Sequence, residues 1–371
     1  MAKVLIVDDS AILRRLLKRI LSDDPDLFVV GAVESGEEAL RFLEENAVDV
    51  ITMDIHMPGM DGFETTRRIM ESSDPKPVVI VSSHWDPIEI EKTFEAMDAG
   101  AVAILAKPTD VVLDESDYAA EFLRTVKEAS ILTVRPIKRR KSPYGGTPAV
   151  EGASRDDAFQ RAITGQKKRV SLVVVGASTG GPNSISEFLG RFTAGFPYPI
   201  LVVQHMAKGF TAGLADWLNR TTPLPVQVAQ DGQRPESGIV YIAPEDLHLC
   251  LGGDGELVLM DDPPEHLVRP SVSRLFRSVA SVHKGEVAAV LLSGMGKDGA
   301  VEMKALRDMG AVTFAQDKES SVVWGMPGEA VRLGAVDYVG TPTFLASILQ
   351  DVLERPERPE LLESLMNGLS G

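Results

Sequence analysis

Two groups of residues in this chain have the types and the spacing to do chemistry. The first is acidic. Asp8 and Asp9 follow the apolar run Val4–Val7, and Asp54 follows Val48–Met53. Ser82 ends Val78–Val81, and Lys107 with Pro108 follows Val102–Leu105. Carboxylates gathered without a cysteine or histidine ligand select a hard cation such as Mg²⁺. A cation held there neutralises an incoming phosphoryl group, and Lys107 and Ser82 are suited to bind its oxygens. Any one of these acids alone would read as an ordinary loop or cap residue. The functional reading rests on the whole set standing at strand ends.

The second group centres on a serine. Gly176-Ala177-Ser178-Thr179-Gly180-Gly181 follows the run Val173–Val175 and reads as strand, tight turn and helix start. Gly176-x-Ser178-x-Gly180 fits a nucleophile elbow, where glycines permit the sharp turn that exposes a serine. The same turn would also cradle a phosphate or a dinucleotide, or merely serve packing, so by itself it leaves these readings open. A nucleophilic serine needs a base, and the base needs an orienting group. His248 falls in a hairpin strand, His266 in a Pro-rich loop and His283 at a helix end. His205 directly follows the run Ile200–Gln204, which places it at the same sheet edge as Ser178. A third run, Val287–Leu292, leads through Ser293-Gly294-Met295-Gly296-Lys297 to Asp298. Taken alone, Asp298 would be the N-cap of the following helix. Together, Ser178, His205 and Asp298 supply nucleophile, base and orienter, in a chain order unlike that of the α/β-hydrolases.

The elements that must position these groups alternate in two blocks. Val4–Val7, Phe28–Ala32, Val48–Met53, Val78–Val81 and Val102–Leu105 read as buried parallel strands. Helices fit between and after them at Gly36–Glu45, Gly62–Glu71, Ile88–Ala99 and Glu115–Ala129, with helical spacing also over Ile12–Ile20. The pattern predicts a doubly wound parallel sheet over residues 1–130. Residues 131–169 break it with prolines, glycines and the basic clusters Lys138–Lys141 and Lys167–Arg169, as a flexible linker does. A second alternation over 170–356 has strands at Val170–Val175, Ile200–Gln204, Val226–Gln230, Ile239–Ala243, Val287–Leu292 and Val312–Ala315. Its helices are expected at Asn183–Arg191, Gly213–Thr221, Val272–His283, Gly299–Met309 and Phe344–Leu353. Leu247–Leu251 and Leu257–Met260, split by glycines, read as an added antiparallel hairpin. Residues 357–371 form a charged C-terminal tail.

The fold class is therefore α/β, with two mainly parallel-sheet domains, as a length of 371 residues also suggests. A net charge of −16 and a pI near 4.9 argue against nucleic acid as the main partner. Cys250 is the only cysteine, which excludes an intramolecular disulfide. The N-terminus lacks a signal-peptide layout and no apolar stretch is long enough to insert in a bilayer, so a cytoplasmic location is expected.

These motifs also carry family resemblances. Val-Asp-Asp-Ser at 7–10, Met-Asp-Ile-His-Met-Pro-Gly-Met-Asp-Gly at 53–62 and Ala-Lys-Pro at 106–108 resemble the response-regulator receiver domain, which implies a flavodoxin-like fold. The resemblance implies Asp54 as phosphoacceptor and an Mg²⁺ site of Asp9, Asp54 and the carbonyl of His56. Asp8 would join through water, and Ser82 and Lys107 would sense the phosphoryl group. Ile104 stands where many receivers carry an aromatic switch residue. Gly-Ala-Ser-Thr-Gly-Gly at 176–181, Gln204-His205-Met206, Ser293-Gly294-Met295-Gly296-x-Asp298-Gly299 and Trp324-Gly325-Met326-Pro327-Gly328 resemble the chemotaxis protein-glutamate methylesterases, with a Rossmann-like catalytic domain. That resemblance implies a Ser178, His205, Asp298 triad without cofactor, and backbone oxyanion donors near Thr179 and Met295. It further implies methyl-accepting chemoreceptors as substrates, a chemotaxis histidine kinase as phosphodonor, and deamidation of receptor glutamines beside demethylation. Ala207 in place of a common proline and Ser273 in place of a common aspartate are departures expected to lie clear of the triad.

Two rival functions make distinguishable demands. A response regulator with a binding-only output domain would need a recognition surface such as a basic helix, and none is evident. A dinucleotide-dependent oxidoreductase would close its second strand with an acid, where this chain has Gln204 and His205.

Overall fold

The apolar runs fold as two separate parallel sheets. The structure is a computed structural model and describes residues 1–82, 93–97, 99–108, 115–132, 134 and 170–354. In the first sheet, β1 (Ala2–Val7), β2 (Leu27–Val33), β3 (Val50–Asp54), β4 (Val78–Ser82) and β5 (Ala103–Ala106) lie in the order β2-β1-β3-β4-β5. All neighbours are parallel, with Val4 beside Val29 and Val50, and Asp54 beside Val81. Strands β3 and β4 are buried throughout, which explains their unbroken apolar character. The order reverses at β1, so the crevice at the carboxyl ends of β1 and β3 is the ligand position of this topology.

Short polar side chains start the flanking helices. Ser10 caps α1 (Ala11–Ser22), Ser35 caps α2 (Gly36–Glu45) and Asp61 caps α3 (Gly62–Glu71), each accepting from a backbone N–H three residues on. Residues 93–97 are helical, and the rest of the expected helix Ile88–Ala99 lies largely outside the described residues. Helix α4 (Glu115–Ser130) closes this half. The linker expected over 131–169 and the tail over 357–371 also fall almost wholly outside the described residues.

The second sheet has seven parallel strands: β6 (Leu172–Ala177), β7 (Ile200–Gln204), β8 (Val226–Val228), β9 (Val240–Ile242), β12 (Val287–Leu291), β13 (Val312–Gln316) and β14 (Tyr338–Gly340). Their order is β14-β13-β12-β6-β7-β9-β8, so β6 lies between β12 and β7. Strands β10 (His248–Leu251) and β11 (Leu257–Met260) form a separate antiparallel pair, the expected hairpin. Helices α5 (Gly181–Leu189), α6 (Thr211–Thr221), α7 (Val272–His283), α8 (Ala300–Asp308), α9 (Met326–Arg332) and α10 (Pro342–Glu354) complete the domain. Helix α9 and strand β14 are not evident in the sequence pattern. The first begins inside a Gly-Met-Pro-Gly stretch that looks like a loop, with Pro327 at a first-turn position where its missing N–H costs nothing. The second has three residues, too few to show a period.

The two halves touch where the first sheet ends. The rings of Phe94 and Trp217 stack with centroids 5.7 Å apart, and Asn183 Nδ2 donates to the Met97 carbonyl at 2.7 Å. The backbone N–H of Gly180 donates to the Val102 carbonyl at 3.1 Å. Among the described residues no helix is long and apolar enough to cross a membrane.

Candidate functional site

In the first domain the expected acidic set comes together at the crevice. Asp8 and Asp54 are each only 1% exposed, and carboxylate oxygens of Asp8, Asp9 and Asp54 lie within 4.8 Å of one another. Lys107 Nζ stands 2.7 Å from Asp54 Oδ1 and 3.9 Å from Asp8 Oδ2. The backbone N–H groups of Ser10 and His56 donate to Asp8 Oδ1 and Asp54 Oδ1, at 2.8 and 3.2 Å. His56 therefore has its main chain beside Asp54, while His84 lies outside the described residues. Burial, then the charge of Asp54, pushes the Asp8 carboxyl up to about 6 against the pull of Lys107. Burial also raises Asp54, again opposed by Lys107.

Among the described residues, three buried atoms in this crevice find no hydrogen-bond partner: Asp8 Oδ2, Asp54 Oδ2 and Ser82 Oγ. Buried polar atoms are nearly always satisfied, so orphans of this kind point to a missing ligand. The oxygen-only acidic donors fit Mg²⁺, and the Ser82 hydroxyl fits a phosphoryl oxygen. Glycine keeps the crevice compact, because a Cβ on Gly62 would stand 2.0 Å from the Asp54 carbonyl oxygen. That close approach accounts for the glycine that ends the Met53–Gly62 motif.

In the second domain the sheet order does the assembling. Ser178 follows β6, His205 follows its neighbour β7, and Asp298 lies beyond its other neighbour, β12. Asp298 Oδ2 accepts from His205 Nε2 at 2.9 Å, which leaves Nδ1 as the ring nitrogen available to the serine. Ser178 and His205 line one cavity of about 660 Å³, together with Thr179. Ser178 N–H is committed to the Ser293 carbonyl, and Gly294 packs so tightly that a Cβ there would meet Ser178 Cβ at 2.9 Å. The side chain of Met295 is half-buried and outside the cavity lining, while Ser293 and Gly294 of that stretch meet the serine.

Asp298 is held in a way the sequence does not suggest. It caps the beginning of α7 rather than its own helix, α8, whose N-cap is Gly299. Oδ1 accepts from Ser271 Oγ and Ser273 N–H, both at 2.9 Å, and Oδ2 accepts from Val272 N–H at 2.7 Å. Burial alone would raise this carboxyl, but the His205 bond and the donors from α7 hold it far below the usual carboxylate range. Ser273, expected to lie clear of the triad, is thus in direct contact with it, and its Oγ also accepts from Gly299 N–H at 2.9 Å.

Gln204 is a further supporting residue. Its Nε2 donates to the carbonyls of Ser178 and His205, at 2.9 and 2.7 Å, tying the two turns together. The available signal was a buried amide ending an apolar strand immediately before the histidine.

The cavity is walled from both domains. Val102, Glu121, Arg124 and Glu128 of the first line it together with Ser178 and His205 of the second. Ile104, at the expected switch position, lines the same space.

Known proteins share both halves. The family model for the response regulator receiver domain matches residues 4–113, and that for CheB methylesterase matches residues 173–349. A protein-glutamate methylesterase/protein-glutamine glutaminase of Syntrophus aciditrophicus is 46% identical over 349 residues, covering 94% of this chain and 97% of its own. One from Nitrosospira multiformis is 43% identical over 359 residues, covering 96% and 99%. Among solved structures, the Thermotoga maritima CheB methylesterase catalytic domain is 38% identical, with a TM-score of 0.47, covering 49% of this chain and 97% of its own.

Proposed function

This chain belongs to the CheB methylesterase family, and we propose from that premise that it hydrolyses glutamate methyl esters on methyl-accepting chemoreceptors under phosphoryl control. Methanol is the product, and the same chemistry applied to receptor glutamines releases ammonia. The observation that carries this reading is the His205–Asp298 hydrogen bond at 2.9 Å beside Ser178, in a cavity shared with the receiver domain.

Asp298 fixes the ring so that Nδ1 accepts the Ser178 hydroxyl proton as Oγ attacks the ester carbonyl. The imidazolium then returns that proton to the departing methoxide, leaving an acyl-enzyme. Water, deprotonated by the same nitrogen, resolves it to a glutamate. The oxyanion lies at the start of α5, where the helix dipole and the backbone around Thr179 and Met295 favour negative charge.

In the receiver, Asp54 takes the phosphoryl group from a histidine kinase, and Lys107 Nζ and Ser82 Oγ bind its oxygens. Asp9, Asp54 and the His56 carbonyl would hold Mg²⁺, with Asp8 through water, and the cation supplies charge neutralisation when bound. Without the phosphoryl group, the receiver lies over the mouth of the esterase cavity through the Phe94–Trp217 stack and the Asn183 and Gly180 hydrogen bonds. Adding negative charge beside Lys107, at the end of β5, loosens this contact and admits the receptor segment. The site of action is the cytoplasm.

The test compares methanol release from methylated receptor membranes by wild type and Ser178→Ala. We expect a loss on the order of 10⁴-fold or more in the variant; equal release would remove Ser178 from the mechanism.

A further inference from the structure

His248 lies outside the triad and on neither catalytic turn. It sits on β10, in the hairpin that is separate from the seven-stranded sheet, and it is fully buried. Both ring nitrogens are nevertheless engaged. Nε2 is 3.1 Å from the Pro263 carbonyl, and Nδ1 is 3.1 Å from the backbone nitrogen of Ser271. A carbonyl only accepts and an amide N–H only donates, so the proton is on Nε2 and Nδ1 is a bare acceptor. One neutral tautomer satisfies both bonds.

Ser271 is the N-cap residue of α7, yet its hydroxyl makes no cap bond. It donates instead to Asp298, alongside the N–H groups of Val272 and Ser273. All three non-histidine donors to the triad carboxylate thus come from consecutive residues, and the first of these is moored to His248. The opposite end of the same imidazole holds Pro263, where the loop that lines the cavity through Pro264, Val268 and Arg269 begins.

We propose that His248 is a positioning residue for the esterase reaction, holding Ser271 so that the carboxylate of Asp298 presents Oδ2 squarely to His205. Its two bonds have separable consequences. The Nδ1 acceptor fixes Ser271 and therefore kcat. The Nε2 donor fixes the cavity loop at Pro263 and therefore KM. Misplacing a catalytic group by about 1 Å costs on the order of 10²-fold, whereas losing the carboxylate itself costs on the order of 10⁴-fold.

The inference rests on the Ser178, His205 and Asp298 reading, and its test separates the two. Full-length His248→Asn keeps an acceptor near the Nδ1 position, His248→Gln keeps a donor near Nε2, and His248→Leu keeps neither. With methylated receptor membranes and a phosphodonor, kcat should fall about 10- to 100-fold in His248→Leu and His248→Gln. His248→Asn should hold kcat within about threefold of wild type while its KM rises. In proton NMR without substrate, the low-field His205 Nε2–H resonance should stay in His248→Asn and move in His248→Gln and Ser271→Ala. Unchanged kcat in His248→Gln, an equal loss in all three variants, or an unmoved resonance would overturn the proposal. Should His248→Leu fail a thermal-unfolding check, the contrast between Asn and Gln decides alone. A wild type that releases no methanol defeats the esterase reading, and the resonance comparison still decides the role of His248.

Discussion

The acidic crevice of the receiver and the serine site of the esterase sit at equivalent places in their sheets, yet they are built on opposite terms. At the crevice, Asp8 Oδ2, Asp54 Oδ2 and Ser82 Oγ are buried without a hydrogen-bond partner among the described residues, and two carboxylates crowd one lysine. At the serine site, Asp298 is bonded four times over and Gln204 braces two turns at once. On the proposed function, the first arrangement leaves room for a cation and a phosphoryl group that would come and go. The second spends its hydrogen bonds internally, so that donors and acceptors are in place before charge develops. A switch must be left unfinished, and a catalyst must not.

The largest effect expected from this contrast is at the finished site. Asp298→Asn keeps the shape but turns one of the two accepting oxygens into an NH2 donor, so the carboxylate no longer fixes the His205 tautomer, and kcat should fall on the order of 10⁴-fold. Methanol release measures it, and a loss under tenfold would mean that the saturated carboxylate is structural only. Next comes Asp54→Ala, which should abolish stimulation by a small-molecule phosphodonor while leaving the basal rate measurable. Stimulation that survives would place the switch elsewhere.

A third test turns on stability. The Asp8 carboxyl is raised from 3.8 to about 6, so its contribution to the fold is complete below its ordinary value and is lost as pH rises through 6. In Mg²⁺-free buffer at pH 7.5, Asp8→Asn should therefore be more stable than wild type by on the order of 2–3 kcal/mol, seen as a Tm higher by several degrees. The advantage should vanish towards pH 4 and shrink when Mg²⁺ is added. A variant less stable than wild type at pH 7.5 would show that the crevice is not strained. The smallest effect belongs to the contact between the two regions. Asn183→Ala removes one neutral hydrogen bond to Met97, worth about 0.5–1.5 kcal/mol, so the basal rate without phosphodonor should rise roughly 2- to 10-fold. An unchanged basal rate would show that this bond does not hold the domains closed.

The same contrast decides what could be seen in the amino-acid sequence. The crevice residues and Ser178, His205 and Asp298 were legible because each follows a run of apolar residues, and parallel α/β sheets gather such positions at one edge. Helices α2 and α3 were legible to the residue, since Ser35-Gly36 and Asp61-Gly62 mark their starts. The supports were not. Ser271, Val272 and Ser273 reach Asp298 across more than twenty residues of chain, and no periodicity encodes a hydrogen bond from one helix start to another loop. Ser273 was misplaced for that reason, whereas Asp298 stands against His205 as expected and only its anchoring by α7 was not foreseen. The Phe94–Trp217 stack joins two elements from separate domains, each of which explains its aromatic residue locally as core.

The hydrogen bond from Gly180 to the Val102 carbonyl has one more consequence. It crosses from one domain to the other two residues from Ser178, so that amide loses its partner whenever the halves separate. Its exchange with deuterated solvent therefore counts separations directly. The protection factor of this one glycine reads out the free energy of opening, in a resting protein that has met neither receptor nor kinase.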